Sequence, residues 1–290
     1  MRVLVLGVTG MLGSAVFKIF SQDAQLETWG TLRGGKMLAS VAASDCERLI
    51  TGVNVLDQDA LAAVLAQVRP DVIINCVGLI KQLADAKDPL VALPINSMLP
   101  HRLARLCVLA RARLIHVSTD CVFSGRKGRY LEDDVSDAED LYGKSKYIGE
   151  LHDLPHAITL RTSIIGHELK SSYALVDWFL SQHGNVKGFS KAIYSGLPTV
   201  ELARVMKDFV LPRPQLRGLY HVASEPISKL DLLRLLAREY GKEIEIVPDD
   251  TFVIDRSLNG GRFNSDTGYQ APGWPELIAR MHAARQVRGK

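Results

Sequence analysis

The chain has 290 residues, of which 47% are hydrophobic and 23% charged, and its formal net charge is +3 at pH 7. This balance is ordinary for a globular protein and excludes a disordered or fibrous class. Because the net charge is small and the basic residues are scattered, the composition argues against nucleic acid or an anionic membrane as a partner and favours small-molecule chemistry.

The four cysteines, Cys46, Cys76, Cys107 and Cys121, have no CxxC spacing and no dense pairing. This pattern predicts reduced thiols in a cytosolic, cytoplasmic protein. The opening residues MRVLVLG form too short an apolar run for a secretory signal, and no stretch approaches the roughly 20 apolar residues of a membrane span. No cluster of His, Cys or carboxylate residues has the spacing of metal ligands, so we expect no metal site.

Strand and helix patterns alternate through the first part of the chain. Residues 3–6 form an apolar strand, and glycines lead from it into a helical pattern that ends near residue 20. The later predicted strands are 26–33, 71–78, 113–120 and 156–165, and the helices between them are 59–68, 100–112 and a segment that begins near 141. The alternation predicts an α/β fold, with a Rossmann-type doubly wound parallel sheet over residues 1–165.

The pattern loosens after residue 165. It predicts a helix from about Val200, a short strand over 218–224, a helix over 228–241 and a half-exposed strand over 243–248. Ser228 and Asp231 are a predicted capping box for the third of these elements. We interpret residues 166–290 as a smaller C-terminal α/β substrate lobe, with some segments that return to the first domain.

Three glycines, Gly7, Gly10 and Gly13, lie between the first strand and the first helix. In dinucleotide-binding turns such glycines allow a tight turn, a close approach of the pyrophosphate and packing of the helix on the sheet. The spacing is GxxGxxG, which differs from the GxGxxG fingerprint. By position along the chain, the predicted cofactor-binding residues are Gly7, Thr9, Gly10, Met11, Leu12, Gly13, Arg33, Asn54, Val55, Cys76, Val77 and Gly78, together with Tyr142 and Lys146.

The end of the second strand indicates which dinucleotide binds. An NAD-dependent enzyme usually carries an acidic residue there for the ribose 2'-hydroxyl. This chain has Arg33 instead, with Lys36 nearby. Because a cation suits a 2'-phosphate, we expect NADP(H) in preference to NAD(H); a solvated basic loop is the alternative.

A threonine, a tyrosine and a lysine follow the expected cofactor groove. Thr119 ends a predicted strand, and Tyr142 and Lys146 stand one helical turn apart. Ligands collect at the carboxyl ends of the strands of an open parallel sheet. We therefore expect the three side chains to share one site.

The order of motifs resembles that of the extended short-chain dehydrogenases/reductases, and in particular the nucleotide-sugar reductases related to dTDP-4-dehydrorhamnose reductase. The similar segments are GVTGMLG (7–13), NCVG (75–78), VSTDCVFSG (117–125), YGKSKYIGE (142–150), LRTS (160–163) and GLPT (196–199). The resemblance implies reduction of a 4-keto nucleotide-deoxysugar for cell-surface polysaccharide. It also implies that Tyr142 is the acid, that Lys146 lowers the pKa of Tyr142 and binds the ribose, and that Thr119 polarises the substrate carbonyl.

Two departures leave the particular sugar open. Related dehydratases carry an acidic residue where this chain has Cys121, so dehydration is not expected, and the segment SGLPT differs from the stretch expected in rhamnose-pathway reductases. We predict that Thr119, Ser163, Lys187 and Tyr194 contact the substrate, and we interpret His116 and His221 as structural.

Two other functions remain open at this point. A nucleotide-sugar epimerase uses the same Tyr and Lys but holds and recycles its NAD(P). A regulatory subunit that binds NADP without catalysis, similar to the beta subunit of methionine adenosyltransferase, has no need for a tuned acid. The sequence leaves the oligomeric state open, with a homodimer as one alternative.

Overall fold

A computed structural model describes residues 1–34, 46–79, 87–169 and 174–286 of the protein. The strands are β1 (Arg2–Leu6), β2 (Glu27–Thr31), β3 (Leu49–Ile50), β4 (Val72–Asn75), β5 (Arg113–Thr119), β6 (Ala157–Thr162), β7 (Ile164–Ile165), β8 (Asn185–Phe189), β9 (Ala192–Tyr194), β10 (Leu197–Pro198), β11 (Gly218–His221), β12 (Ile227–Ser228), β13 (Glu245–Asp249) and β14 (Ile254–Asp255). The helices are α1 (Met11–Ser21), α2 (Gln58–Val68), α3 (Pro89–Ala92), α4 (Leu99–Ala110), α5 (Leu141–Ile148), α6 (Leu175–Ser181), α7 (Thr199–Val205), α8 (Lys229–Glu239), α9 (Gly261–Thr267) and α10 (Trp274–Gln286).

The central sheet has seven strands in the order β11, β6, β5, β4, β1, β2, β3. All of its neighbouring strands are parallel. The apolar residues of β1 and β4 are fully buried because helices cover both faces of the sheet. One core contains side chains of α1, α7, α8 and α10, and a second core contains side chains of α2 and α4. The predicted Rossmann-type fold is therefore confirmed.

The strand predicted over 156–165 is two strands. β6 ends at Thr162, and β7 pairs with β10, so that Ile164 is opposite Leu197. Ser163 lies at the break, where its carbonyl accepts a hydrogen bond from the backbone N–H of Leu197. The apolar pattern runs through both strands because both are buried, so it gives no sign of the break.

The later segments form small sheets and helices. β11, predicted over 218–224, ends at His221 and pairs with β6 at the edge of the central sheet. Ser228 caps α8 by accepting a hydrogen bond from the N–H of Asp231 over 3.0 Å, as the capping pattern predicts. The domain boundary at residue 165 stays a prediction. Within the described residues, no helix has the length and apolar character needed to cross a membrane.

Candidate active site

The turn between β1 and α1 has no room for a side chain at Gly7 or at Gly13. Gly7 has φ +84°, and its carbonyl oxygen would be 2.2 Å from a Cβ on Gly13. A Cβ on Gly7 would lie 2.9 Å from Cγ2 of Val77. The first N–H groups of α1 have no acceptor within the helix. A tight turn that brings free N–H groups and a helix N-terminus together has the form of an anion cradle.

The side chains next to these glycines differ in how far they are buried. Thr9 and Met11 are half-buried, whereas the side chain of Leu12 is packed into the core. Leu12 can therefore offer a ligand only its backbone N–H.

The carboxyl end of β4 continues the groove. Val77 packs on Gly7, and a Cβ on Gly78 would lie 3.8 Å from Nζ of Lys146. The segment 76–78 thus connects the glycine turn to Lys146. Burial raises the pKa of the Cys76 thiol to about 12, so this cysteine remains protonated at neutral pH.

Arg33 lies just beyond the carboxyl end of β2 and is exposed. Asn54 and Val55 follow β3, and the side chain of Asn54 closes a turn by accepting a hydrogen bond from the N–H of Leu56. The adjoining Val53 donates to the carbonyl of Leu32, which places this turn beside Arg33. Lys36, the second predicted cation, lies outside the described residues.

The structure brings Thr119 and Tyr142 together. Thr119 ends β5 and Tyr142 is in the first turn of α5, and the Thr119 hydroxyl is close enough to the Tyr142 phenol to lower its pKa. The helix begins here because Asp140 caps it, accepting a hydrogen bond from the N–H of Gly143 over 2.8 Å. Gly143 is required at this contact, since a Cβ there would lie 2.2 Å from the carbonyl oxygen of Cys121.

The environment of Tyr142 keeps its phenol protonated. Desolvation has the largest effect and raises the pKa of this group, the nearby Cys121 raises it further, and the hydroxyl of Thr119 lowers it. The lowering of this pKa by Lys146 stays a prediction.

Lys146 is 6% exposed and donates a hydrogen bond from Nζ to the carbonyl oxygen of Val117 over 2.7 Å. Burial lowers the pKa of its ammonium group to about 8, and the carboxylate of Glu150 partly opposes this change. The amine therefore titrates close to physiological pH.

Two of the predicted substrate residues adjoin this pair. Burial raises the pKa of the Asp120 carboxylate, and the nearby Ser163 opposes this change. The same carboxylate accepts a hydrogen bond from the hydroxyl of Thr119 over 3.2 Å. Ser163 is close enough to the hydroxyl of Tyr194 to affect the pKa of this phenol. No described group, however, forms a hydrogen bond with the Tyr194 hydroxyl. Burial and the charge of Asp120 raise the pKa of Tyr194. Its buried hydroxyl thus has an unused capacity for a hydrogen bond.

Lys187 is in a different setting. Its side chain is 73% exposed, and its ammonium forms a 3.0 Å ion pair with Asp249 of the neighbouring strand. An exposed pair of this kind contributes little to binding or stability.

Several charged residues that the sequence did not single out surround the site. Arg256 donates from Nε to the carbonyl of Phe123 over 2.8 Å, and its Nη1 is 3.7 Å from Sγ of Cys121. The half-buried Lys229 interacts with the charge of Asp120, and burial lowers its pKa. A cavity of about 500 Å³ is lined by Cys121, Asp140, Arg256 and other residues. No local motif marks either cation, because each comes from the C-terminal part of the chain.

Asn96 is a further polar residue that the sequence did not reveal. It lies in a π-helical turn, Leu93–Met98, and donates to the hydroxyl of Ser145 over 3.1 Å. Its Oδ1 accepts from the N–H of Leu79 over 3.0 Å. Asn96 therefore fixes the groove wall after Gly78 against α5.

The two histidines interpreted as structural differ in their partners. Both nitrogens of His221 are hydrogen-bonded, to Arg161 and to the carbonyl of Tyr130. His116 contacts Asn75 through Nδ1, whereas its buried Nε2 has no partner among the described residues.

Comparison with known proteins places this site in context. Residues 1–255 match the family described as RmlD substrate binding domain. Methionine adenosyltransferase 2 subunit beta of Danio rerio is 32% identical over 81% of this chain and 73% of that protein. A dTDP-4-dehydrorhamnose reductase of Aggregatibacter actinomycetemcomitans is 26% identical over 78% of this chain and 74% of that protein. The dTDP-4-dehydrorhamnose reductase of Bacillus anthracis, solved in complex with NADP, shares the fold with a TM-score of 0.80 and 22% identity, covering 98% of this chain and 99% of that chain.

Proposed function

Because the chain belongs to the RmlD substrate binding domain family, we propose that it is an NADPH-dependent reductase of a 4-keto nucleotide-deoxysugar used for cell-surface polysaccharide. The observation that carries this proposal is the placement of Thr119, at the end of β5, beside Tyr142, at the start of α5, with Lys146 next to the groove that begins at the glycine turn. A protein that only binds a nucleotide has no use for such a pair.

The proposed cofactor fits the residues present. The backbone of Gly7, Gly10 and Gly13 offers a cradle for the pyrophosphate, where a Cβ on Gly13 has no space. Arg33 would hold the 2'-phosphate, and Asn54 and Val55 would line the adenine. Residues 76–78 would follow the dinucleotide to Lys146, which would donate hydrogen bonds to the ribose. NADPH, when bound, supplies a hydride to the carbonyl carbon of the substrate.

The chain itself would supply the proton. Tyr142 is protonated at neutral pH because its surroundings raise its pKa, so it is in the form that a general acid requires. The hydroxyl of Thr119 would donate to the same carbonyl oxygen and stabilise the charge that develops there. Transfer of the Tyr142 proton to that oxygen completes the alcohol, and Lys146 would stabilise the resulting phenolate.

Polar groups near the pair suit a sugar nucleotide. The unpaired hydroxyl of Tyr194 and the side chain of Ser163 would bind sugar hydroxyl groups. Arg256 and Lys229 bring positive charge near Cys121, which suits the diphosphate. Lys187 has less support as a ligand because Asp249 already pairs with it.

A regulatory subunit is the second candidate. It is favoured by the 32% identity to methionine adenosyltransferase 2 subunit beta, which exceeds the 26% identity to the reductase of Aggregatibacter actinomycetemcomitans. The two functions differ in an observable way, since only the reductase consumes NADPH when a keto-sugar nucleotide is added.

The experiment is a substrate panel. The protein is incubated with NADPH and 4-keto sugars linked to dTDP, UDP or GDP, and the product is identified by mass and NMR. We expect net oxidation of NADPH and formation of an alcohol when the 4-keto sugar is linked to one of these three nucleotides. Epimerisation without net NADPH loss supports an epimerase, and NADPH binding without turnover of any sugar supports the regulatory function.

A further inference from the structure

A buried carboxylate at the end of α5 has no part in the proposed chemistry. Glu150 is 3% exposed and lies one helical turn beyond Lys146. A charge in such a place is costly unless it is paired.

The carboxylate connects three elements of the site. Oε1 accepts a hydrogen bond from the hydroxyl of Ser118 over 2.6 Å and another from Nε of Arg161 over 2.9 Å. Oε2 accepts a second bond from Arg161, which is 1% exposed. Ser118 directly precedes Thr119 on β5, and Arg161 is on β6. One side chain therefore holds the end of the helix of Tyr142 against the strand of Thr119.

Arg161 is fixed in turn by β11. Its Nη1 donates to Nε2 of His221 over 2.9 Å, and Nδ1 of His221 faces the carbonyl of Tyr130 at 3.0 Å. A guanidinium only donates, so Nε2 of His221 accepts and the proton of the ring is on Nδ1. Arg161 can therefore keep one orientation, with two of its donors on Glu150.

The charge of the Glu150 carboxylate also acts on Lys146. The charged and titratable groups that face Lys146 are Glu150, which follows it by four residues, Cys76 after β4 and His116 on β5. Burial lowers the pKa of the ammonium, whereas Glu150 raises it. The same carboxylate is paired with Arg161, so its charge acts on both cations. The groups that face Glu150 are Arg161 and, at 3.7 Å, the half-exposed His152.

We propose that Glu150 is a positioning residue that keeps Lys146 charged and holds the helix of Tyr142 at the carboxyl end of β5. This inference rests on the proposed function only in taking NADPH as the ligand of Lys146. A purely structural ion pair would alter stability when removed, but it would leave the titration of Lys146 unchanged.

The test is the pH dependence of NADPH binding, measured by fluorescence titration from pH 6 to pH 10 on the full chain. In the wild type, affinity should fall as the pH rises through about 8, the pKa of Lys146. In Glu150→Gln this alkaline limb should move about one pH unit lower, since a close opposite charge shifts a pKa by that order. In Lys146→Met the limb should be absent.

Two further variants separate positioning from folding. Glu150→Gln leaves Arg161 buried and unpaired, so Glu150→Gln/Arg161→Met removes both charges and should show the same downward shift. His152→Gln is the matched control, because it changes the exposed neighbour of the same carboxylate and should leave the limb in place. A limb that stays at the wild-type pH in a folded Glu150 variant, or one that persists in Lys146→Met, overturns the inference. A wild-type chain without NADPH affinity at any pH contradicts the proposed function instead.

Discussion

The hydroxyl of Thr119 lies beside the phenol of Tyr142, close enough to lower its pKa, although one residue ends a strand and the other begins a helix. The contact exists because Asp140 caps α5 and Gly143 lets its first turn approach the carbonyl of Cys121. Two hydroxyl groups thus meet at the edge of the sheet where the glycine turn also opens.

Replacing Tyr142 by Phe should lower turnover by at least ~100-fold, which is the usual scale for loss of a general acid. The affinity for NADPH should change little, because only a hydroxyl is removed. Steady-state kinetics and fluorescence titration measure the two effects. Tyr147→Phe, on the exposed side of the same helix, is the control and should retain turnover. Turnover that survives Tyr142→Phe contradicts the acid assignment.

Replacing Arg33 by Asp should weaken NADPH binding about tenfold or more, because a charge-assisted hydrogen bond is worth roughly 1.5–3 kcal/mol. NADH lacks the 2'-phosphate and should bind nearly as before. Isothermal titration with both cofactors gives the ratio, and Arg105→Asp on the exposed face of α4 controls for net charge. An equal loss for both cofactors would remove Arg33 from the site.

Gly13→Ala should disturb the glycine turn. The new Cβ would lie 2.2 Å from the carbonyl oxygen of Gly7, so the start of α1 must move. We expect a stability loss of about 1–3 kcal/mol, as in other overpacked sites, and a loss of NADPH affinity. Urea unfolding and cofactor titration measure both. Gly273→Ala is the control, since its Cβ would meet only Pro275 at 3.8 Å. Unchanged affinity in Gly13→Ala would show that the cofactor binds elsewhere.

The protein should lose stability in mild acid because of His221. Burial, with the charge of Arg161, lowers the pKa of this histidine to about 3. In the unfolded chain His221 binds a proton near pH 6.5, whereas in the folded chain it stays neutral until the pH approaches 3. The free energy of unfolding therefore falls as the pH drops from about 6.5 towards 3. For this group alone the loss between pH 7 and pH 5 is about 2 kcal/mol.

Urea unfolding at both pH values measures this effect. His221→Gln should show a smaller difference between pH 7 and pH 5 than the wild type, although it is less stable at pH 7. His183→Gln, at an exposed position, should keep the wild-type difference. An undiminished difference in His221→Gln would assign the acid sensitivity to other groups.

The parts of the fold that the sequence predicted well are those with a local cause. The glycine turn follows from Gly7, Gly10 and Gly13 beside a buried strand, and the start of α8 follows from the cap at Ser228. The approach of Thr119 and Tyr142 was predictable because the end of a parallel strand and the start of the helix that follows it lie at the same edge of the sheet.

Features that depend on distant contacts were not predictable. Arg256 reaches Cys121 and the carbonyl of Phe123 from far along the chain, and no local pattern marks this contact. The titration of Tyr142 depends on burial, which the spacing to Lys146 does not reveal. The pairing of Lys187 with Asp249 requires β13 to lie beside β8.

The most direct measurement follows the hydride. The protein is given the keto-sugar nucleotide that it turns over and NADPH in which both hydrogens at C4 of the nicotinamide are deuterium, and the product is analysed by NMR. We expect one deuterium on the former carbonyl carbon for each NADPH consumed, and loss of this transfer in Tyr142→Phe. Turnover without deuterium in the product, or NADPH binding without consumption by any keto-sugar nucleotide, would contradict this expectation.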